Sequence, residues 1–179
     1  MVNEEIIKNW GIPESIKDKN IEFIFDINNL NSETIKDKVI EGLYCNSGGS
    51  KFCLYDIEGD KIIFTMDFFI LGTDYRLYQD REKIIKLECL CTNDFEARKK
   101  GISGYYLEKV IEFGISNNIN KFKLIPNPDD ELFENLDKRD TLSPKDLKNW
   151  YIREFKKFGF KSNNLPSENN KLSQIIFEK

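Results

Sequence analysis

The spacing of apolar residues changes several times along the chain, and each change predicts a different element. The segment from Glu4 to Asn9 has the pattern of a short amphipathic helix, and Ile21 to Ile27 has that of a strand. A second helix is predicted from Ser32 to about Leu43, where Asn31 or Ser32 can serve as the N-cap. The first third of the chain is therefore predicted to be helix, strand and helix.

The middle of the chain is predicted to be three successive strands. The stretch "KFCLYDIEGDKIIFTMDFFIL" holds two strand-like segments around Glu58-Gly59-Asp60, which predicts a β-hairpin. "KIIKLECLC", residues 83–91, continues with a third strand. "NSGGS", which precedes the hairpin, is a loop by its composition.

In the last third of the chain, apolar residues at helical spacing alternate with short strand-like segments. A helix follows residue 101, with Leu107, Val110, Ile111 and Gly114 at helical spacing, and "KFKLIP" is a short buried strand stopped by Pro126. Ser143 as N-cap and Pro144 at the first helical position predict another helix, which ends at Gly159. "GFKSN" and "KLSQIIFEK" are predicted as two closing strands.

Composition bounds the class of protein. The chain has 179 residues, which suits a single domain spanning 1–179, and its apolar runs are strand-sized rather than membrane-spanning. The start, "MVNEEIIKNWG", lacks the features of a secretory signal, so a cytoplasmic location with reduced thiols is expected. The net charge of −4, without a long Lys/Arg stripe, predicts neither nucleic acid nor a membrane as partner.

The residue types limit the chemistry. The sequence has no histidine, which removes every Ser–His and Cys–His nucleophile arrangement. Its four cysteines form no CxxC pair, so no metal is expected. Catalysis would therefore have to use carboxylates, tyrosine, lysine, backbone amides or a cofactor.

The stretch "RKKGISG", residues 98–104, lies between a predicted strand and a predicted helix and matches an anion site. The N–H groups of a helix N-terminus lack partners and attract negative charge, and Gly101 lets the backbone approach a phosphate closely. Arg98, Lys99 and Lys100 add positive charge, while Ser103 and Gly104 are small. The alternative is an ordinary helix start on a basic surface turn.

The order of these segments resembles the GNAT superfamily of acetyl-CoA-dependent N-acetyltransferases. The family signature R/Q-x-x-G-x-G/A is matched by Arg98-Lys99-Lys100-Gly101-Ile102-Ser103, and "WYIREFKKFGF" (150–160) matches its late aromatic helix. The resemblance covers roughly Phe52 to Lys179. It implies an α/β (α+β) fold with a mixed, mostly antiparallel central sheet flanked by helices.

The resemblance also implies a site and a reaction. Acetyl-CoA would be the co-substrate, held through backbone groups near Leu90, Cys91 and Thr92 and by amides from Lys99 through Ile102 and Ser103 to Gly104. An acceptor amine would attack the acetyl carbonyl directly, without a covalent enzyme intermediate. The sequence departs from the family at Ser103, in one extra residue before Arg98, and at Phe155, where the family often has a tyrosine that protonates the leaving thiolate.

Two side chains are candidates for proton transfer. Glu88 lies mid-strand, where a carboxylate is poorly suited to burial, and is the candidate base; alternatively it points to solvent or pairs with Lys86. Tyr151, one helical turn before Phe155, is the candidate acid; alternatively it is a core residue beside Trp150. Cys89 and Cys91 share a strand face and are expected to be small core residues.

Other interpretations stay open at this point. A GNAT-shaped module could hold acyl-CoA or a protein partner without turnover, and the missing tyrosine favours this. A nucleotide binder using the same turn lacks a GxxxxGK[ST] loop.

The segment from Asn127 to Ser143 is rich in carboxylates. It is either a solvated acidic loop or a lid that concentrates a cationic acceptor amine. For assembly, the expectation is a monomer or a homodimer.

Overall fold

The computed structural model describes residues 3–25, 52–72, 82–129, 138–164 and 174–179. Within these ranges the helices are α1 (Glu4–Asn9), α2 (Ile102–Ser116) and α3 (Pro144–Lys157). The strands are β1 (Ile21–Ile24), β2 (Phe52–Asp56), β3 (Lys61–Leu71), β4 (Ile84–Thr92), β5 (Lys121–Leu124), β6 (Lys161–Asn164) and β7 (Ile175–Glu178). Single 3-10 turns cover Glu14–Ile16 and Phe95–Ala97.

The predicted order of elements is confirmed wherever the structure describes the chain. The predicted helix from Ser32 to Leu43, the "NSGGS" loop and Cys45 lie outside the described residues. None of the helices in the described part is long and apolar enough to cross a membrane.

The seven strands form one sheet in the order β1-β2-β3-β4-β5-β7-β6. Every neighbouring pair is antiparallel except β4 and β5, which run parallel. A parallel pair needs a crossover connection, and α2 supplies it. The predicted mixed, mostly antiparallel sheet flanked by helices is therefore confirmed.

One face of the sheet carries the main hydrophobic core. The strand pairing places the large apolar side chains of successive strands on this face, and they pack with residues of all three described helices. The buried strand residues of this core are Phe52, Leu54, Ile63, Phe64, Met66, Phe68, Ile85, Leu87, Phe122, Leu124, Ile175 and Phe177. Since α2 and α3 share this core, it fixes the position of both helices relative to β4 and β5.

Two tyrosines of α2 tie this helix to the start of the chain. The Tyr106 hydroxyl donates to the Gly11 carbonyl at 2.9 Å, and the Tyr105 hydroxyl donates to the Trp10 carbonyl. Burial raises the pKa of Tyr106, so its hydroxyl stays protonated as a donor. The Trp10 ring also stacks on Phe68, at 6.0 Å between centroids. The two hydrogen bonds tie the first turns of α2 to the residues that follow α1.

Candidate active site

The parallel strands β4 and β5 separate and leave a cleft. They are paired at Ile85–Phe122, Lys86–Lys123 and Leu87–Leu124; β5 then ends, while β4 continues to Thr92. The cleft has a volume of about 480 Å³. Its described lining comes from β4, the turn at 98–104, the residues after β5 and the first turns of α3. The gap thus opens a path between the middle of β4 and the N-terminus of α2.

The backbone of the turn leaves open space at the start of α2. Gly101 is the N-cap of α2 in the left-handed region, with φ +77°, and as a glycine it has no side chain that could cap the helix. The first backbone bond runs from the Tyr105 N–H to the Gly101 carbonyl at 2.9 Å, so the N–H groups of Ile102, Ser103 and Gly104 precede the bonded turns. A Cβ built at Gly101 or Gly104 would meet nothing within 4 Å. This geometry can accept an anionic group close to the backbone.

The cleft is more positive than the protein as a whole. Among its described lining residues, four cations face two carboxylates: Lys86, Arg98, Lys99 and Lys138 against Glu88 and Asp140. The whole chain, in contrast, carries −4. A cleft with local positive charge favours a negatively charged ligand. Lys100, which the motif also includes, is exposed and does not line the cleft.

Two hydrogen bonds hold the end of β4 against the turn. The Thr92 and Ser103 hydroxyl oxygens lie 2.9 Å apart, and the Arg98 Nε donates to the Thr92 carbonyl at 3.2 Å. Ser103, a departure from the usual glycine or alanine of the family motif, therefore links the first turn of α2 to the strand. The Thr92 carbonyl already accepts from Arg98, and the binding of a ligand by backbone groups near Leu90, Cys91 and Thr92 stays a prediction.

Glu88 is the extra residue of a β-bulge. The pairing of β3 with β4 runs from Asp67–Cys89 directly to Phe68–Leu87, so β4 has one residue more at this point. Glu88 lines the cleft and forms an ion pair with Lys86. The structure thus shows the pairing with Lys86 that the sequence left as an alternative, and the role of Glu88 as a base stays a prediction.

Tyr151 and Phe155 lie in different surroundings although they are one turn apart. Tyr151 is buried and lines the cleft, and burial raises the pKa of its hydroxyl, with Cys89 and Cys91 adding to the effect. Phe155 is absent from the lining and stacks on Phe177, at 3.9 Å between centroids. Tyr151 therefore keeps its proton at neutral pH, and its role as the acid stays a prediction.

The two cysteines of β4 have different surroundings: Cys89 is buried as expected, whereas Cys91 is only partly buried and lines the cleft, so the expectation of a core position is wrong for Cys91. Cys89 and Cys91 pair with Asp67 and Thr65, alternate residues of β3, which confirms that they share a face. Cys89 is buried, and burial raises the pKa of Cys91, which lines the cleft, to about 11. A thiol with this pKa is protonated at neutral pH and is a poor nucleophile.

The cleft also has an apolar wall, which the sequence did not predict. Ile125 and Leu142 are 49% and 44% exposed, and both line it together with Leu147 and Trp150. A signal was present in "LSPKDL": Leu142 before the N-cap and Leu147 four residues after it match a hydrophobic staple. We call residues 138–142 the wall segment, since Lys138, Asp140, Thr141 and Leu142 line the cleft.

The comparisons with known proteins identify the fold. No protein-family model matches this sequence, and no curated protein matches it. The structure of Arabidopsis thaliana Naa50 with the bisubstrate analogue CoA-Ac-MVNAL is 11% identical, with 89% of this chain and 97% of that chain covered and a TM-score of 0.50. A chain of the NatC complex bound to Gag peptide and CoA is 9% identical, with 89% and 98% covered and a TM-score of 0.50. The chain therefore has the fold of the GNAT acetyltransferases, as its motifs predict.

Proposed function

We propose that this protein is an acetyl-CoA-dependent N-acetyltransferase. It transfers the acetyl group to a primary amine of a small-molecule or peptide acceptor, by direct attack of the amine. The observation that carries the proposal is the cleft between β4 and β5, which joins Glu88 and Tyr151 to the open N-terminus of α2. Structures of the same fold contain CoA or a CoA bisubstrate analogue, which supports the choice of co-substrate.

Three parts of the cleft bind different parts of acetyl-CoA. The N–H groups at the start of α2 receive the pyrophosphate, since they precede the bonded turns. The backbone of Leu90 and Cys91 bonds the pantetheine amides, and Leu142 and Trp150 contact its apolar carbons. Among the described residues, no group of three or more cysteine and carboxylate side chains is placed to hold a metal ion.

The reaction then needs two proton transfers at the inner end of the cleft. The amine nitrogen bonds to the acetyl carbon, and the bond from that carbon to sulfur breaks. Glu88 takes the proton that the attacking nitrogen must lose, and Tyr151 gives a proton to the leaving thiolate. A free alkyl ammonium has a pKa of about 10, so removal of its proton is a real requirement near pH 7.

The proposed function is tested by measuring acetyl-CoA binding first and acetyl transfer to amines second. Acetyl-CoA at 100 times its dissociation constant should stabilise the protein by about 2.7 kcal/mol, seen as a raised melting temperature. A panel of polyamines, aminoglycosides, lysine peptides and free peptide N-termini then reports turnover through the free CoA thiol. A thermal shift without thiol release from any amine would indicate the non-catalytic binding module, and no shift at all would contradict the proposal.

Glu88→Gln should lower kcat/KM mainly below about pH 8, where the acceptor is protonated and most needs a base. The matched control is Lys86→Gln, which removes the partner of Glu88 without touching the carboxylate. This control should keep the wild-type rate or exceed it, because Lys86 no longer competes with the acceptor ammonium. An unchanged pH profile in Glu88→Gln would remove Glu88 from the mechanism.

Tyr151→Phe should lower kcat by about tenfold or less at all pH values, because a thiolate leaves readily even without an acid. Binding of acetyl-CoA should change little, since the ring that lines the cleft is kept. A second variant, Phe155→Tyr in the Tyr151→Phe background, should not restore the rate. The ring of Phe155 is 1% exposed against Phe177, outside the cleft. Rescue by Phe155→Tyr would show that position 155 is the true acid site.

A further inference from the structure

The Arg98 side chain is engaged by protein atoms in more than one direction. Its Nε donates to the Thr92 carbonyl at the end of β4. Its Nη1 donates to the Arg139 carbonyl and, at 3.3 Å, to the Thr141 hydroxyl. One planar guanidinium thus joins the last residue of β4 to the wall segment, whose Arg139 lies 41 positions after Arg98.

Neighbouring contacts secure the same segment. Lys99 forms an ion pair with Asp140, and the Arg139 guanidinium lies 4.1 Å from the centre of the Phe95 ring. The Lys138 ammonium donates to the Pro128 carbonyl at 2.7 Å. Lys99 and Asp140 are largely exposed, so their ion pair contributes little by itself. Arg98 is half-buried and bonds the backbone on both sides, which makes it the main link.

We propose that Arg98 is a positioning residue, which holds the wall segment against β4 so that Thr141 and Leu142 form one side of the pantetheine channel. The inference rests on the proposed function. Arg98 is the first residue of the turn, and its positive charge alone would suggest a phosphate ligand. The role proposed here is instead to position the wall segment. Arginine suits the task because its planar guanidinium holds several N–H donors in a fixed geometry, so that it can bond several carbonyl oxygens at once.

Two acetyl donors separate the two roles. Acetyl-CoA carries phosphates, whereas S-acetylpantetheine has the same thioester arm and none. Removing a phosphate ligand weakens acetyl-CoA alone, but displacing the channel wall weakens both donors. Arg98→Ala should therefore raise the dissociation constants of both by the same factor, about tenfold for the loss of charge-assisted hydrogen bonds.

Three further variants complete the design. Arg98→Lys keeps the positive charge but not the fixed set of guanidinium donors. It should therefore lose affinity for both acetyl donors, as Arg98→Ala does. Lys100→Ala removes a neighbouring charge that is exposed and outside the lining, and should leave S-acetylpantetheine binding unchanged. Leu142→Ala combined with Arg98→Ala should cost no more than the larger single change, because both act through the same wall.

The outcomes are distinct. A loss confined to acetyl-CoA, or full rescue by Arg98→Lys, would identify Arg98 as a phosphate ligand and overturn the inference. Unchanged affinity of Arg98→Ala for both donors would also overturn it. If the wild-type protein binds neither donor, the proposed function itself fails. Circular dichroism on each variant distinguishes a loss of binding from global unfolding. Thr141→Val, which loses only one hydroxyl, should weaken both acetyl donors to a smaller extent.

Discussion

Gly101→Glu is expected to weaken acetyl-CoA binding by about 100-fold or more. The glutamate carboxylate would occupy the open space before α2 and bond to the N–H groups that the pyrophosphate needs. The protein should still fold, because a Cβ at this position meets nothing within 4 Å. The left-handed backbone of Gly101, with φ +77°, adds a strain of about 1–2 kcal/mol for any residue with a Cβ.

The matched control for this experiment is Gly101→Asn. Asparagine tolerates the left-handed region and is neutral, so it introduces a side chain and part of the strain without the negative charge. It should keep most of the affinity, measured by titration calorimetry with acetyl-CoA. A folded Gly101→Glu protein that still shows the full thermal shift would mean that phosphate binds elsewhere.

Gly114→Ala is expected to destabilise the protein by about 1–3 kcal/mol through overpacking. A Cβ at this position would lie 2.5 Å from Phe122 Cζ, 3.1 Å from Ile85 Cδ1 and 3.1 Å from the Ile119 carbonyl oxygen. Ile85 and Phe122 are paired across β4 and β5, so the strain falls on the base of the cleft. The melting temperature should fall by about 2–4 °C for each kcal/mol lost.

Gly104→Ala provides the comparison within the same helix. Its Cβ would meet nothing within 4 Å, so the higher helix propensity of alanine should stabilise the fold, by up to about 1 kcal/mol. The two substitutions are chemically identical and should have opposite signs in a thermal melt. A destabilised Gly104→Ala together with a neutral Gly114→Ala would contradict the packing of α2 against β4 and β5.

Local chemistry accounts for the elements that the sequence predicted well. The N-cap at Ser143 accepts from the Asp146 N–H at 3.2 Å, Pro144 follows it, and Gly159 ends α3 with φ +83°. The turn at Glu58-Gly59-Asp60 joins β2 to β3. Each of these features is decided by a few adjacent residues, which a single sequence displays directly.

The missed features depend on contacts between distant residues. The bulge at Glu88 exists only because β4 pairs with β3 in one particular register. The sequence predicted Arg98 as a cation near phosphate, and charge and spacing could not show that its side chain also donates to the Arg139 carbonyl. Helical periodicity likewise placed Tyr151 and Phe155 on one face without showing that the cleft ends between them.

The tyrosine bonds from α2 to Trp10 and Gly11 have a practical consequence for engineering this protein. The N-terminal residues do not form a detachable handle, because they brace the helix whose first turn lines the cleft. A fusion or truncation that disturbs Trp10 would shift the backbone amides at Ile102 to Gly104 without altering any residue of the cleft itself.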